Sequence, residues 1–213
     1  MNERVIFADK QHLNYSSEIY KLILDATKTK GSGLAKRSIY YIEEKIKENK
    51  AIIALSDLNV VGFCYIECWG HNFYVANSGL IVSPIYRGRN LARKIKAKAF
   101  ELSRKMYPKA KIFGLTTSLA VMKINLELGY KAVTFSELTT DNKFWEGCKT
   151  CNNYDILLRT SREFCLCNAM LFDAEVGKKN RKKRLSLPNL LGKLKLLIKQ
   201  ILNKEVFLIL KRN

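Results

Sequence analysis

Residues 77–92 constrain the fold of this chain more than any other stretch, because they join an apolar strand to a basic turn and a helix. Leu80, Ile81 and Val82 predict the core of a strand, which the following Ser-Pro pair ends. Residues 91–106 carry apolar side chains at helical spacing on an otherwise cationic helix. The unpaired N–H groups of a first helical turn and the macrodipole both attract anions. The sequence therefore predicts a phosphate-binding turn before this helix.

Three arginines surround the predicted start of the helix, namely Arg87, Arg89 and Arg93. A pyrophosphate would find backbone donors and guanidinium groups together there. Asn90 and Gly88 occupy the turn itself, and Asn is a non-glycine residue that tolerates a positive φ. A solvated basic helix start is the alternative interpretation of the same residues.

The next unit repeats the alternation of strand and helix. Lys111 to Thr117 predicts a second strand, Ser118 to Leu128 a short helix, and Ala132 to Phe135 a third strand. Gly129 and Tyr130 follow the short helix as its C-terminal cap.

Residues 87–92 resemble the (Gln/Arg)-x-x-Gly-x-(Gly/Ala) signature of the GNAT acyltransferase superfamily, with Asn90 at the central Gly position. In that family the signature binds the pyrophosphate of acyl-coenzyme A. Together with the order of elements over roughly residues 5–160, the resemblance implies a mixed α/β fold, with a central twisted mixed sheet flanked by helices. It implies acetyl- or succinyl-coenzyme A as donor. The donor-binding residues by this resemblance are Leu80, Ile81, Val82, Arg87, Gly88, Arg89, Asn90, Leu91 and Ala92.

The acceptor side resembles the acetyltransferase domain of N-acetylglutamate synthases. Residues 33–38, followed by a charged helix (Tyr40 to Lys47) and a strand (Ala51 to Leu55), match one segment, and the Leu-Thr-Thr end of residues 113–117 matches another. This resemblance implies that an amino-acid acceptor is bound by Lys36, Arg37, Thr116 and Thr117. Anchoring a carboxylate suits the fork of Arg. The alternative is that the two cations belong to a solvated face.

Glu67 and Asn125 are the candidate catalytic residues. Glu67 interrupts an apolar strand, where a carboxylate is costly unless it is paired or used, so it is the candidate base for the acceptor ammonium, directly or through water. A salt-bridged strand residue is the alternative. Strand alternation places Glu67 on the face of Tyr65 and Trp69. Asn125 stands where many family members have an acid tyrosine, and could hydrogen-bond the sulfur or the pantetheine.

Four cysteines form a Cys-x-x-Cys and a Cys-x-Cys pair within residues 148–167. If Tyr154 to Leu158 forms a strand, a hairpin would gather the thiolates around a structural zinc ion. Free buried cysteines, or a redox pair at the first motif, are the alternatives. The candidate ligands are Cys148, Cys151, Cys165 and Cys167.

Charge divides the chain near residue 173. The net charge is +19, and residues 174–213 contain twelve Lys or Arg against two Glu. We therefore predict a catalytic domain over residues 1–173 and a basic linker and amphipathic helical tail over residues 174–213. The tail could dock on the domain, self-associate in a homodimer, or lie on an anionic membrane surface. It carries no recognisable nucleic-acid module.

The resemblance implies an enzyme that transfers an acetyl or succinyl group from acyl-coenzyme A to the α-amine of an amino acid, glutamate by preference, in arginine biosynthesis. Acylation of a protein or peptide, and a basic membrane- or nucleic-acid-associated binding protein, are the alternatives. No window supplies roughly 18 uninterrupted apolar residues, and the first thirty residues do not resemble a signal peptide. We therefore expect a cytoplasmic protein, with peripheral membrane contact as an option.

Overall fold

The computed structural model describes residues 3–29 and 31–175. Its strands are β1 (Glu3–Ala8), β2 (Ala51–Ser56), β3 (Asn59–Trp69), β4 (Tyr74–Val82), β5 (Lys111–Thr116), β6 (Lys131–Val133) and β7 (Asn168–Phe172). They form one sheet in the order β1-β2-β3-β4-β5-β7-β6. Neighbouring strands are antiparallel except for β4 and β5, which are parallel. The predicted mixed sheet is confirmed.

The α-helices of the described residues are α1 (Ser16–Thr27), α2 (Ile39–Lys47), α3 (Leu91–Met106), α4 (Leu119–Glu127), α5 (Asn142–Glu146) and α6 (Tyr154–Arg159). Among these residues, no helix combines the length and the apolarity that crossing a membrane requires. The basic linker and amphipathic helix were predicted over residues 174–213, and from residue 176 onward they lie outside the described part of the chain.

Helices cover both faces of the central strands. Every residue of β2 is buried, and successive side chains of a strand point to opposite faces. Ile52 packs on one face in a cluster with Ile95 of α3. Ile53 packs on the other face with Ile19 of α1 and Ile42 of α2. The continuous apolar run of β2 is thus explained by burial on both sides.

The sheet opens between β4 and β5. The two parallel strands pair only as far as Ala76 and Phe113. Beyond that pair β4 continues to Val82 and β5 to Thr116 without further pairing to each other. Gly114 is therefore the first residue of β5 inside a gap between two adjacent strands.

A bulge in β4 faces this gap. The ladder between β3 and β4 pairs Phe63 with Ile81 but Tyr65 with Ser78, so two residues of β4 oppose one of β3. Gly79, the first of those two, has a φ of 67°, which glycine adopts without steric cost. Such bulges locally disrupt the ladder and occur often beside functional sites.

Most elements agree with the sequence-based predictions. Helix α3 has the predicted bounds. Ser118 caps α4 by accepting a hydrogen bond from the backbone of Val121. Gly129 follows α4 with a φ of 88°, as expected for a residue that ends a helix.

The predicted cysteine hairpin is wrong. Residues predicted as a strand form α6, Tyr154–Arg159. Asp155 lies in the first turn of this helix and Arg159 in the last, so both charges complement the helix dipole. The short apolar run was compatible with either structure, and the charges at its ends favour the helix. The third predicted strand is also shorter, because residues from Phe135 form a 3-10 turn.

Candidate active site

The turn before α3 has the conformation that the sequence predicts. Pro84–Tyr86 form a 3-10 turn, and α3 begins at Leu91 after Asn90 in a left-handed conformation with a φ of 65°. Gly88 also has a positive φ, 79°. Arg93 Nε donates to Asn90 Oδ1 at 2.9 Å, which ties the turn to the helix. The first N–H groups of α3 have no intrahelical partners, so the turn can offer them to an anion.

Two arginines of the turn differ in what they contact. Arg87 Nε donates to the backbone oxygen of Val82 at 3.2 Å. Arg89 forms an ion pair with Glu3, with Nη1 and Oε1 3.3 Å apart. Both are exposed. Arg87 uses only its Nε in this contact. Its terminal nitrogen atoms are therefore better placed to bind phosphate than Nη1 of Arg89, which pairs with Glu3.

A cavity of about 380 Å³ lies beside the opened sheet. Its walls come from strands β3, β4 and β5, the loop before α2, helices α3 and α4, and the segment around α5 and α6. Leu80 lines it, whereas Ile81 and Val82 pack in two separate apolar clusters. Of the three predicted strand residues, only Leu80 therefore lines the cavity, and it also packs against the cluster that contains Val82.

Arg37 is held rigidly in the cavity wall. Its Nε donates to Tyr65 Oη at 2.9 Å, and its Nη1 donates to the backbone oxygen atoms of Gly147 at 3.1 Å and Lys36 at 2.9 Å. Burial opposes the charge, but the neighbouring Tyr65, Tyr41 and Glu67 raise the pKa of Arg37 above its usual value. The guanidinium is thus a fixed, permanently charged group at the cavity.

Glu67 lies on the face of β3 that sequence alternation predicts, together with Tyr65 and Trp69 in the cavity wall. Its Oε2 accepts a hydrogen bond from Tyr41 Oη, and its Oε1 pairs with Lys45 Nζ at 2.8 Å. Burial and the neighbouring Tyr65 and Glu67 raise the pKa of Tyr41 far above its usual value. Both carboxylate oxygen atoms are therefore already engaged, as in the salt-bridged alternative.

The other predicted acceptor residues occupy different places. Thr116 lines the cavity. Thr117 Oγ1 donates to the backbone oxygen of Ser32 at 3.2 Å and so fastens the loop before α2. Lys36 is exposed and lines the rim of the same cavity. Thr116 and Arg37 thus lie in the wall, and Lys36 at the mouth.

Asn125 and Lys96 are buried polar residues that line the cavity from α4 and α3. The Oδ1 atom of Asn125 has no hydrogen-bond partner among the described residues. Lys96 was missed by the sequence-based reasoning. The signal was present, since Lys96 shares a helical face with Ala99 and Ser103, both buried.

The four cysteines line the cavity from its α5–α6 side but do not form a metal centre. No group of three or more His, Cys, Asp or Glu side chains in residues 3–29 and 31–175 is arranged to hold a metal ion. Cys165 and Cys167 belong to an apolar cluster with Trp145. The zinc site predicted for Cys148, Cys151, Cys165 and Cys167 is therefore not supported.

Protonation of the thiols agrees with this packing. Burial raises the pKa of Cys148 to about 11 and raises that of Cys167 further. All six cysteines are free. Helix α6 lies between the two cysteine pairs along the chain. The pairs nevertheless come near each other in space, since Cys165, Cys151 and Cys148 all contribute to the raised pKa of Cys167.

Replacing Gly79 by Ala should lower the free energy of unfolding by about 2 to 4 kcal/mol, because a strained φ and overpacking each cost about 1 to 3 kcal/mol. A Cβ at Gly79 would lie 2.7 Å from Cε1 of Tyr65. Gly88→Ala is the matched control, since its φ is also positive but nothing lies within 4 Å. Urea unfolding measures both. Equal losses in the two variants would contradict the close contact with Tyr65.

Comparison with solved structures finds the same arrangement of strands and helices in known acetyltransferases. An N-acetylglutamate synthase from Neisseria gonorrhoeae, solved with coenzyme A and N-acetylglutamate, superposes with a TM-score of 0.59 and 17% identity over 81% of this chain and 35% of its own. A GNAT-family acetyltransferase from Staphylococcus aureus gives 0.56 and 14% over 81% of this chain and 99% of its own. The chain has the GNAT fold. A Mycobacterium tuberculosis protein solved with coenzyme A gives 0.56 and 16% over 80% and 98%.

The likeness to these GNAT proteins concerns the fold, since every identity is low. This chain spans about a third of the Neisseria enzyme, 35% of its length. No protein-family model matches the sequence, and no curated protein does so significantly. The opened β4–β5 edge and the Asn90 turn therefore have to be interpreted from their own geometry within the GNAT fold.

Proposed function

We propose that this protein transfers an acyl group from acyl-coenzyme A to the α-amine of an acidic amino acid, glutamate by preference. One observation carries the proposal: a single cavity is lined both by the opened edge of β4 and β5 and by the partly buried guanidinium of Arg37. The GNAT fold, and the coenzyme A and N-acetylglutamate bound to the Neisseria enzyme, support it. Its product would place the reaction at the entry to arginine biosynthesis.

The donor would bind at the turn before α3. Asn90 and Gly88, both at positive φ, bend the backbone so that its N–H groups can approach a pyrophosphate. Arg87 has terminal nitrogen atoms to add to them. The residues present thus fit a coenzyme A pyrophosphate. The donor set remains Leu80, Ile81, Val82, Arg87, Gly88, Arg89, Asn90, Leu91 and Ala92, with acetyl and succinyl groups as the candidate acyl groups.

The acceptor would bind against Arg37, with Thr116 beside it in the wall and Lys36 at the rim. Three hydrogen bonds already orient the Arg37 guanidinium through Nε and Nη1, which leaves Nη2 for a carboxylate. A fixed cation costs no reorganisation when the ligand arrives. This arrangement favours an acceptor that carries a carboxylate besides the reacting amine.

The chemistry required of the protein is modest, because a thioester is already activated. The protein must align a neutral amine, polarise the carbonyl oxygen and receive the thiolate. We assign Glu67 to the proton of the acceptor ammonium, directly or through water, because it lines the cavity and a carboxylate that accepts two hydrogen bonds keeps further lone pairs. The β4 bulge at Gly79 would supply the N–H that polarises the carbonyl.

Arg87→Ala and Asn90→Asp should each weaken the binding of coenzyme A by about 1.5 to 3 kcal/mol, the range for a hydrogen bond to a charged group. The first removes a guanidinium and the second places a like charge beside the phosphates. Asn90→Gly is the matched control, since it keeps the positive φ without a new charge, and it should keep the affinity. Calorimetric titration measures all three. Unchanged affinity in both test variants would reject the pyrophosphate assignment.

The proposed function is tested by supplying each free amino acid with acetyl- or succinyl-coenzyme A and detecting the released thiol. We expect release with glutamate, with one acyl donor preferred. Release with a peptide but with no free amino acid would assign the protein to peptide or protein acylation instead. No release with any acceptor would reject acyl transfer.

A further inference from the structure

Lys96 is a buried lysine that the reaction described so far does not use. Lys96 is 2% exposed to solvent, and it lines the cavity. The ammonium lies 5.1 Å from the centroid of the Tyr130 ring. It also lies 3.6 Å from the position that a Cβ of Gly114 would occupy. Lys96 therefore reaches from α3 into the gap between β4 and β5.

The polar groups beside Lys96 satisfy one another. Tyr130 Oη donates to Asn77 Oδ1 at 3.0 Å, and Asn77 Nδ2 donates to Ser103 Oγ at 2.7 Å. Ser103 Oγ in turn donates to the backbone oxygen of Ala99 at 2.7 Å. An ammonium carries three donors and no acceptor. The hydrogen bonds from Tyr130 to Ala99 do not include the Lys96 ammonium. We therefore expect its three N–H donors to face the cavity.

The ammonium also has no anionic partner among the described residues. Burial lowers the pKa of Lys96 to about 8. The Cys64 thiol of β3 acts in the opposite direction, but its effect is smaller than that of burial. Burial raises the pKa of Cys64 to about 11 and raises that of Tyr130 well above its usual value. Both neighbours are thus neutral at neutral pH. Lys96 can hold a proton at that pH and release it readily.

The reaction proposed above still lacks a proton donor for the thiolate that leaves. Gly114, beside the ammonium, is the first residue beyond the last β4–β5 pair. Asn125 lines the same cavity, but a carboxamide has no proton to give to a thiolate. Within residues 3–29 and 31–175, Lys96 is thus a buried cation that lines the cavity and has no anionic partner.

We propose that Lys96 is the proton donor to the thiolate that leaves in the acyl transfer, an inference that rests on the function proposed above. The acceptor nitrogen bonds to the acyl carbon, and the carbon–sulfur bond breaks with its electron pair on sulfur. Lys96 Nζ gives that sulfur a proton. The nitrogen loses its own proton to the base and then to solvent, and solvent returns a proton to Lys96. The products are an amide and a neutral thiol.

The direct test measures the pKa of the coenzyme A thiol when it is bound, from the ultraviolet absorbance of the thiolate, without any acceptor or turnover. An ammonium beside the sulfur should lower this pKa by about one to three units relative to free coenzyme A. Lys96→Met should abolish the lowering. Lys105→Met is the matched control, because Lys105 is an exposed lysine of the same helix.

Activity gives a second readout. Lys96→Met should reduce kcat by about 10²- to 10⁴-fold, the usual contribution of a general acid, and should remove the fall of kcat at alkaline pH. Its melting temperature should stay equal or rise, since Met removes a buried unpaired charge. A purely structural role would instead lower the melting temperature and leave the pH profile unchanged.

The possible failures are distinguishable. If wild-type protein does not bind coenzyme A, the proposed function fails and this inference fails with it. If coenzyme A binds but its thiol has the same pKa bound as free, the assignment of Lys96 is overturned while the proposed function stands. Comparing the thiol pKa of bound and free coenzyme A needs only the wild-type protein. It therefore tests the role of Lys96 even if Lys96→Met does not fold.

Discussion

Replacing Arg37 by Met should lower kcat/KM for glutamate by about 30-fold or more, because removing one partner of a desolvated hydrogen-bonded charge pair costs about 2 to 5 kcal/mol. Activity with glutamine should fall less, so the preference for glutamate should narrow. The guanidinium of Arg37 is held by Tyr65 and Gly147 and lines the cavity. Steady-state kinetics with the two amino acids measures the change in preference.

Two further variants sharpen this result. Lys36→Met should change the preference little, since Lys36 is exposed at the rim. Arg37→Lys keeps the charge but loses the fork, and should recover only part of the preference. Structural damage alone would reduce glutamate and glutamine turnover by the same factor. An equal loss on both substrates, or equal wild-type rates, would contradict the assigned role of Arg37.

Phe113→Ala should lower the free energy of unfolding by about 3 to 5 kcal/mol, the usual cost of truncating a fully buried Phe. Phe113 is 0% exposed. Its ring centroid lies 4.9 Å from that of Phe144 and 6.1 Å from that of Tyr74, so it joins β5 to α5 and β4. Urea unfolding measures the loss. Phe164→Ala, at 59% exposed, is the control and should change stability by less than about 0.5 kcal/mol.

Features that depend on neighbouring residues in the chain were predictable from the sequence. The turn at residues 87–92 combines a strand end, a proline, a glycine and a helix start within a few residues, and each of these constrains the backbone directly. Asn90 was expected to accept a positive φ and does so at 65°. The face of β3 that carries Glu67 followed from alternation, because the side chains of a strand alternate strictly.

Long-range contacts were not predictable in this way. Arg37 meets Tyr65 and Gly147, which are 28 and 110 residues away in the chain, and no local pattern encodes such a meeting. Lys96 was overlooked because a lysine in a helix rich in lysine looks like a solvated residue. Its place on the helical face of Ala99 and Ser103 was the one available signal, and the gap between β4 and β5 beside it follows only from the structure.

The cysteine segment shows how one local error spreads. Tyr154–Arg159 has too few residues for periodicity to distinguish a strand from a helix. The predicted strand implied a hairpin, and the zinc site was predicted from that hairpin. In the structure, the apolar cluster around Trp145 buries Cys165 and Cys167 and partly buries Cys148.

Acyl transfer itself is tested most directly by following acetyl-coenzyme A labelled with carbon-13 at the thioester carbonyl, in the presence of glutamate, by nuclear magnetic resonance. We predict that the thioester signal is replaced by an amide carbonyl signal, one amide for each thiol released, and only when the protein is present. Persistence of the thioester, or its conversion to acetate without any amide, with glutamate and with every other amino acid, would contradict the assignment of this cavity to N-acyl transfer.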